Sequence, residues 1–371
     1  MKRTPAASYY RPELDLLRFF AFLLVFLSHT VPGAEAFWNR TPVPHAAANW
    51  IVGLAAGGAF GVDLFFALSS FLITTLLLRE REAGGAVDVG AFYMRRILRI
   101  CPLYFVFLLV VTPLMSYVLP DESMPLKYTL AFLLLAGNWA CVLWGYPHSV
   151  AGPLWSVSME EQFYLAWPWV VRRWAPNLVA VALVLLAVSF AARLYLVAEG
   201  AIHPQIWCNT LARLDPIACG ALLAVVATRR EIALTGLVRV ALSSFAIAVL
   251  AIAGRYGDFT GIRSLITFPA VTAACVALIL ATLGSPMLSA HTPVLRALVY
   301  LGRISYGLYV FHLMFAMLFN VAATMAPMDR LMRIVATLAA TIATAAVSYH
   351  LLERPFLRRK ERFAHVQSRP V

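Results

Sequence analysis

Apolar residues along this chain gather into runs about twenty residues long, separated by short stretches in which arginine recurs. The runs at 14–31, 58–78, 178–197, 233–253, 265–283 and 334–352 are apolar over nearly their whole length. A helix needs about 20 such residues to cross the hydrocarbon layer of a bilayer. A helix apolar on all its faces has no solvated side, so these runs predict buried or membrane-spanning helices rather than surface ones.

Charge decides how many runs cross. The basic residues cluster at Lys2, Arg3 and Arg11, at Arg79 to Arg99, at Arg172 and Arg173, at Arg229 and Arg230, at Arg296 and Arg303, and along the tail from Arg354. Cytoplasmic loops keep Lys and Arg. Placing all these clusters on one side predicts about ten crossings with both termini cytoplasmic. The stretch 128–145 does not fit that alternation. The run before it ends at Asp121 and Glu122, an outer loop by charge, and the run after it ends at Arg172 and Arg173, an inner one. It is therefore expected not to cross but to form a re-entrant or surface-lying segment on the outer side. Its Gly137, Asn138, Trp139 and Trp144 suit irregular backbone that lines a cavity.

The expected fold is an all-α, polytopic transmembrane bundle. A single domain is expected over 1–371, with its core at about 12–356 and a basic tail at 357–371 resting on anionic headgroups. Lys2, Arg3, the following apolar run and Ala34-Glu35-Ala36 imitate a signal peptide. That run is long and holds Arg18 and His29, so it reads as an uncleaved first span.

Composition sharpens this picture. Of 371 residues, 61% are hydrophobic and 13% charged, whereas soluble domains carry about 25% charged residues. The net charge of +12 follows from the topology just described, and no alternation of aromatic and basic residues points to nucleic acid. Five scattered cysteines, an odd count without paired spacing, argue against a disulfide framework or a zinc site. No metal is expected.

Charged side chains inside spans cost about 2.5–3.5 kcal/mol each and mark cavities and function. Arg18 and His29 lie eleven residues apart, so they project within about 20° of each other and about 16 Å apart along one helix. A cation near the inner mouth and an imidazole farther out suit an anionic donor and a general base. Snorkelling by Arg18 and a plain interhelical bond from His29 would explain the spacing equally well. Glu160 and Glu161 are expected at a depth comparable to His29, where one carboxylate could orient the imidazole. The residues alone do not say which. The other could bond Arg213 or a helix end. Asp63 lies in the outer half of its span, and Arg213 with Asp215 is a candidate buried pair. His312 sits near mid-span. Arg96 and Arg99, one helical turn apart, suit bidentate phosphate binding, and equally the ordinary retention of arginine in inner loops.

The motifs, taken in order, resemble membrane acyltransferase family 3. Arg18 and His29 form an Arg-ten residues-His motif. Phe65-Phe66-Ala67-Leu68-Ser69-Ser70-Phe71-Leu72, Leu78-Arg79-Glu80 and Tyr93-Met94-Arg95-Arg96-Ile97-Leu98-Arg99 follow it. Leu154-Trp155-Ser156-Val157-Ser158-Met159-Glu160-Glu161-Gln162-Phe163-Tyr164, Arg213-Leu214-Asp215, Leu301-Gly302-Arg303-Ile304-Ser305-Tyr306-Gly307-Leu308-Tyr309 and Glu353-Arg354-Pro355-Phe356 complete the series. The family includes acyltransferases of O-antigen, exopolysaccharide, peptidoglycan, Nod factors and some antibiotic sugars. It usually has Ser-Gly where this chain has Ser69-Ser70, which puts helix packing or acyl fit at that spot in question. Members often carry a C-terminal esterase-like domain. This chain shows none, so transfer is expected to finish in the membrane part or in a separate partner.

The resemblance implies a bacterial inner-membrane O-acyltransferase with ten spans. Its donor would be acyl-CoA, most commonly acetyl-CoA, entering from the cytoplasm, and its acceptor a hydroxyl of a carbohydrate or glycosylated molecule. His29 and Arg18 would be essential, with Arg96, Arg99, Glu160 and Glu161 in the catalytic and donor-binding set. Asp63, Ser69, Tyr164, Arg213 and Asp215 would support them, and envelope-polysaccharide assembly proteins are possible partners. Two rival classes predict different behaviour. In a transporter or flippase the buried Arg, His and Glu residues would form a relay, and paired broken helices would be expected; no such symmetry is evident. In a non-catalytic assembly partner His29 would be dispensable.

Overall fold

The computed structural model describes residues 9–31, 33, 43–119, 123–257, 259–285, 292–325, 329–364 and 366. Lys2, Arg3, Ala34-Glu35-Ala36, Asp121, Glu122 and most of the tail beyond residue 364 lie outside them. Among the described residues the chain is all helix, with no strand.

Helix α1 (Pro12–Thr30) starts with proline, whose missing N–H is one the first turn would leave unpaired anyway. Glu13 and Asp15 sit at its positive end. Helix α2 (His45–Gly57) runs through a short 3₁₀ turn, Gly58–Phe60, into α3 (Gly61–Gly84). Gly58 and Gly61 lie directly against the carbonyls of Leu24 and Ala21, an approach to α1 that any side chain would block. Helix α4 (Val89–Val106) is capped by the Asp88 carboxylate, which accepts from the Ala91 N–H at 2.8 Å. It continues through a π-helical turn, Phe107–Val111, into α5 (Thr112–Val118). A second such turn, Tyr349–Glu353, joins α15 (Arg330–Ser348) to α16 (Arg354–Lys360). Each lies just before a proline, Pro113 or Pro355. Proline cannot donate to the carbonyl four residues back, and its ring crowds that group. A widened turn at that point re-seats the backbone.

Helices α6 (Leu126–Leu133) and α7 (Gly137–Trp144) are each about 12 Å long, too short to cross. The Tyr128 hydroxyl donates to the carbonyl of Trp144 at 2.8 Å, so the pair goes in and returns beside itself. The stretch is thus a hairpin of two short helices, neither among the six stretches long and apolar enough to cross. Asn138 anchors it, donating to the Cys208 carbonyl at 3.1 Å and to Thr210 Oγ1 at 2.9 Å, while Gln162 donates to Asn138 Oδ1 at 2.8 Å.

The remaining helices are α8 (Trp155–Trp174), α9 (Leu178–Ala198), α10 (Asp215–Arg229), α11 (Gly236–Tyr256), α12 (Ser264–Thr282), α13 (Pro293–Arg303) and α14 (Ser305–Met325). Among the described residues six stretches are long and apolar enough to cross a membrane: His45–Gly84, Val89–Val118, Gly152–Ala198, Gly236–Tyr256, Ser264–Thr282 and Arg330–Phe363. The pair α13 and α14, bent by 76°, makes a seventh if taken as one span. By this measure the ten expected crossings are not reached. Helix α1 falls outside it with Glu13, Asp15 and Arg18 among its 19 residues, and α10 with only 15 residues.

Helix α3 packs most extensively on α10. Gly220 stands directly against the Ala67 carbonyl, and Ser70 Oγ donates to the Ile217 carbonyl at 2.6 Å. This accounts for the second serine of Ser69-Ser70. Its hydroxyl bonds across the interface, and the close approach is supplied by Gly220 on the facing helix. Gly220→Val should force α3 and α10 apart and cost about 1–3 kcal/mol, read as a lower thermal unfolding midpoint of the purified protein. Ser70→Ala, which only deletes a hydrogen bond, should cost about 1 kcal/mol.

Candidate active site

Two cavities open along α1. Arg18, Arg96 and Arg99 line the first together with Ser69, Glu160 and Tyr164, around about 610 Å³ of space. The second, about 1180 Å³ with its open mouth, is lined by His29 and by ring-bearing side chains that include Trp155, Trp207 and Tyr309. Val62 and Tyr309 line both, so these two side chains form the neck of protein between the cavities.

In the arginine-lined cavity a chain of bonds ties three helices together. Arg18 donates to Ser69 Oγ at 3.3 Å, and Ser69 donates to Glu160 Oε1 at 3.2 Å. Tyr164, one turn beyond Glu160, donates to its other oxygen at 2.9 Å. Glu160 therefore faces the cavity with both oxygens engaged, while Glu161 lines neither cavity and has its buried Oε1 unpaired among the described residues. The arginines of the inner loop divide as well. Arg95 is committed to structure, donating to Glu80 at 2.8 Å and to the Phe363 carbonyl at 2.7 Å. Arg96 rests 5.2 Å from the Tyr164 ring centre, and neither it nor Arg99 forms an ion pair among the described residues. Two half-buried guanidiniums without carboxylate partners present their donors to whatever anion enters.

His29 sits differently from expectation. Its Nδ1 bonds the Val25 carbonyl at 2.9 Å, so Nδ1 holds the proton and Nε2 carries the lone pair. Among the described residues no glutamate bonds it. Trp155 already lines the His29 cavity, and α8 runs from there towards the arginines, which leaves Glu160 beside Arg18 instead. The imidazole's near neighbour is another imidazole. The ring of His312 lies 5.1 Å away, fully buried, its Nδ1 bonded to the Tyr309 carbonyl at 2.6 Å and its Nε2 without a partner among the described residues.

Arg213 and Asp215 also depart from the expected pairing. Arg213 donates to Asp63 at 2.6 Å, and Asp215 takes Arg193 at 2.8 Å instead. The short turn Leu211–Arg213 aims Arg213 at α3, while Asp215, opening α10, faces α9 and α12. There it also accepts from Ser189 at 3.1 Å and Thr272 at 2.9 Å. All four charges lie behind the second cavity; Arg213 sits 4.2 Å from the Trp207 ring centre, stacked on its face. Arg193 is the residue the sequence reading missed, although a lone arginine in an apolar run was the available signal. Tyr309 and Ser156 were quoted only as parts of motifs. The Tyr309 hydroxyl is held at 2.7 Å from Ser156 Oγ and 3.1 Å from the Pro153 carbonyl, at the neck.

Comparison with known proteins places this arrangement. A model described as an acyltransferase domain, that of acyltransferase family 3, matches residues 11–353. The chain belongs to this family. It is similar to the O-acetyltransferase OatA of Staphylococcus aureus strain NCTC 8325, 25% identical over 379 aligned residues, covering 95% of this chain and 58% of that protein. The putative peptidoglycan O-acetyltransferase YrhL of Bacillus subtilis strain 168 is 28% identical over 93% of this chain and 55% of its own length. The peptidoglycan O-acetyltransferase OatA of Listeria monocytogenes is 31% identical over 48% of this chain and 27% of its own. The chain thus spans little more than half the length of the longest-matched relatives. No solved structure matches.

Membership in an acyltransferase family goes with the multi-pass architecture, and it leaves the transporter reading without support. The buried pairs behind the second cavity serve it as a frame. Arg213→Met would strand the Asp63 carboxylate without its cation and should cost about 3–5 kcal/mol, seen as loss of folded protein in membranes. Removing both charges, with Asp63→Leu added, should restore much of the yield.

Proposed function

We propose that this chain is an O-acyltransferase of the bacterial cytoplasmic membrane, its arginine-lined end facing the cytoplasm. It moves an acyl group, acetyl in the simplest case, from acyl-CoA to a hydroxyl of a carbohydrate acceptor. The observation that carries this reading is the placement along α1 of two neighbouring cavities, one lined by Arg18, Arg96 and Arg99, the last two without an ion pair among the described residues, and one lined by His29, whose Nε2 has no partner among the described residues. The names of the relatives support the acetyl group and the carbohydrate acceptor, and the positive-inside rule supports the orientation.

In this reading Arg96, Arg99 and Arg18 hold the phosphates of the donor, with Arg18 steadied through Ser69 and Glu160. The thiol arm reaches past Tyr309 and Val62, spanning about the 16 Å that separates Arg18 from His29 along the helix. His29 Nε2 takes the proton of the acceptor hydroxyl as its oxygen attacks the thioester carbonyl. The C–O bond forms and the C–S bond breaks. The departing thiolate recovers the proton from the imidazolium, leaving acylated acceptor and free thiol. The Val25 carbonyl stabilises the imidazolium through Nδ1, the role first expected of a glutamate. Holding both substrates at a neck with little water supplies the orientation term.

His29→Ala should lower transfer at least about 100-fold, the usual contribution of a general base, with unchanged yield of folded protein. Near-normal acylation by that variant, measured by mass spectrometry of the product, would sink the assignment. Replacing Arg96 and Arg99 together by Gln should act on the donor instead, raising its KM by about tenfold or more, since charge-assisted hydrogen bonds contribute about 1.5–3 kcal/mol each.

A further inference from the structure

The cavity that exposes His29 has a chemistry of its own. Among the described residues none of its lining side chains is Asp, Glu, Lys or Arg, in contrast to the arginine-lined cavity on the other side of the neck. Rings dominate it. Tyr146 and His203 stand at its exposed rim with their ring centres 5.6 Å apart, while Trp155 and Trp207 lie deeper, 6.2 Å apart. Partial burial lowers the pKa of His203 below the usual imidazole value, so this loop residue adds no charge at neutral pH.

Hydrogen-bonding groups remain open between the rings. The indole N–H groups of Trp155 and Trp207, both of which line the cavity, have no partner among the described residues. Among the described residues the Tyr146 hydroxyl meets only Cys208 Sγ, at 3.6 Å. The pair Tyr146 and His203 is also tied to the frame behind it. The His203 ring lies 6.4 Å from that of Trp207, whose face is covered by Arg213.

We infer that this cavity is the acceptor subsite and that Tyr146, His203, Trp155 and Trp207 form a clamp for an uncharged pyranose ring, its reacting hydroxyl turned towards His29. The inference rests on the acyltransferase reading and names the acceptor class within it. A pyranose is amphipathic by shape. Its C–H face needs apolar rings to cover it, and its rim of hydroxyls needs donors and acceptors. The cavity supplies both and no counter-ion, so a phosphate or carboxylate placed here would be desolvated without a partner. An acyl chain would leave the indole N–H groups unpaired. The space is also of the right order, since pockets for compact organic ligands run from about 300 to 1,000 Å³.

The test uses the full chain in lipid nanodiscs and an uncharged tetramer of β-1,4-linked N-acetylglucosamine as probe. Titration without donor, followed by tryptophan fluorescence, should show saturable binding in the unaltered protein. Tyr146→Ala with His203→Ala should weaken it about tenfold, from two lost aromatic contacts. Tyr146→Phe, which keeps the ring, should retain it, which separates loss of the clamp from misfolding. In turnover the double variant should raise KM for the tetramer without a matching rise in KM for the acyl donor. Absence of binding by the unaltered protein, or equal affinity in the double variant, overturns the clamp. Saccharide binding that persists while His29→Ala still transfers acyl groups upholds the clamp and overturns the catalytic reading.

Discussion

The cost of an unpaired charge inside an apolar medium organises this molecule. A helix bundle that sits in lipid can keep an ionised side chain only if another group meets it, or if a cavity lets water or a ligand do so. Glu161 apart, the charges that frame the site sort into those two kinds. Asp63 with Arg213, Asp215 with Arg193, and Glu80 with Arg95 are closed pairs within 2.8 Å. Arg96, Arg99 and the Nε2 of His29 are open among the described residues, and each of these side chains borders a cavity. Chemistry is expected where the pairing stops.

The closed pairs matter to the open ones because they set the walls. Asp63 and Ser69 project from the same helix, α3, and its distance from α10 is set by Gly220 against Ala67 and by the Ser70 hydroxyl. Ser69 in turn links Arg18 to Glu160. A change in helix spacing at one interface would therefore reach the cation at the first cavity. On the far side Arg213 lies against Trp207, so the ion pair that holds α3 also backs the aromatic wall near His29. Frame and site share residues, and the family motifs are dense for that reason.

The separation into two chambers also bears on how a membrane enzyme avoids leakage. A continuous wide channel between a charged donor site and an acceptor site on the other side would pass ions and water. Here Val62 and Tyr309 stand between the two chambers, and the tyrosine is held in place by Ser156 and the Pro153 carbonyl.

Much of this was legible in the residues before any coordinates. Runs of about twenty apolar residues require helices in lipid because no other structure satisfies its backbone there. The acidic and basic flanks of 128–145 set that stretch apart from the spans, and it folds as two short helices. The eleven-residue spacing put Arg18 and His29 on one stripe of α1, and the order of motifs named the family. What the sequence could not decide was every question of which group meets which across helices. Adjacent carboxylates at 160 and 161 are equivalent in one dimension; only the rotation of α8 put Glu160 on Ser69 and left Glu161 aside. Arg213 and Asp215, neighbours in the chain, chose Asp63 and Arg193 because a short turn and a helix start aim them apart. Likewise His29 found its own helix's carbonyl and a second histidine instead of a glutamate. Periodicity records the direction a side chain takes from its helix. The partner it meets depends on how far each helix slides and turns against the next, and that is a property of packing.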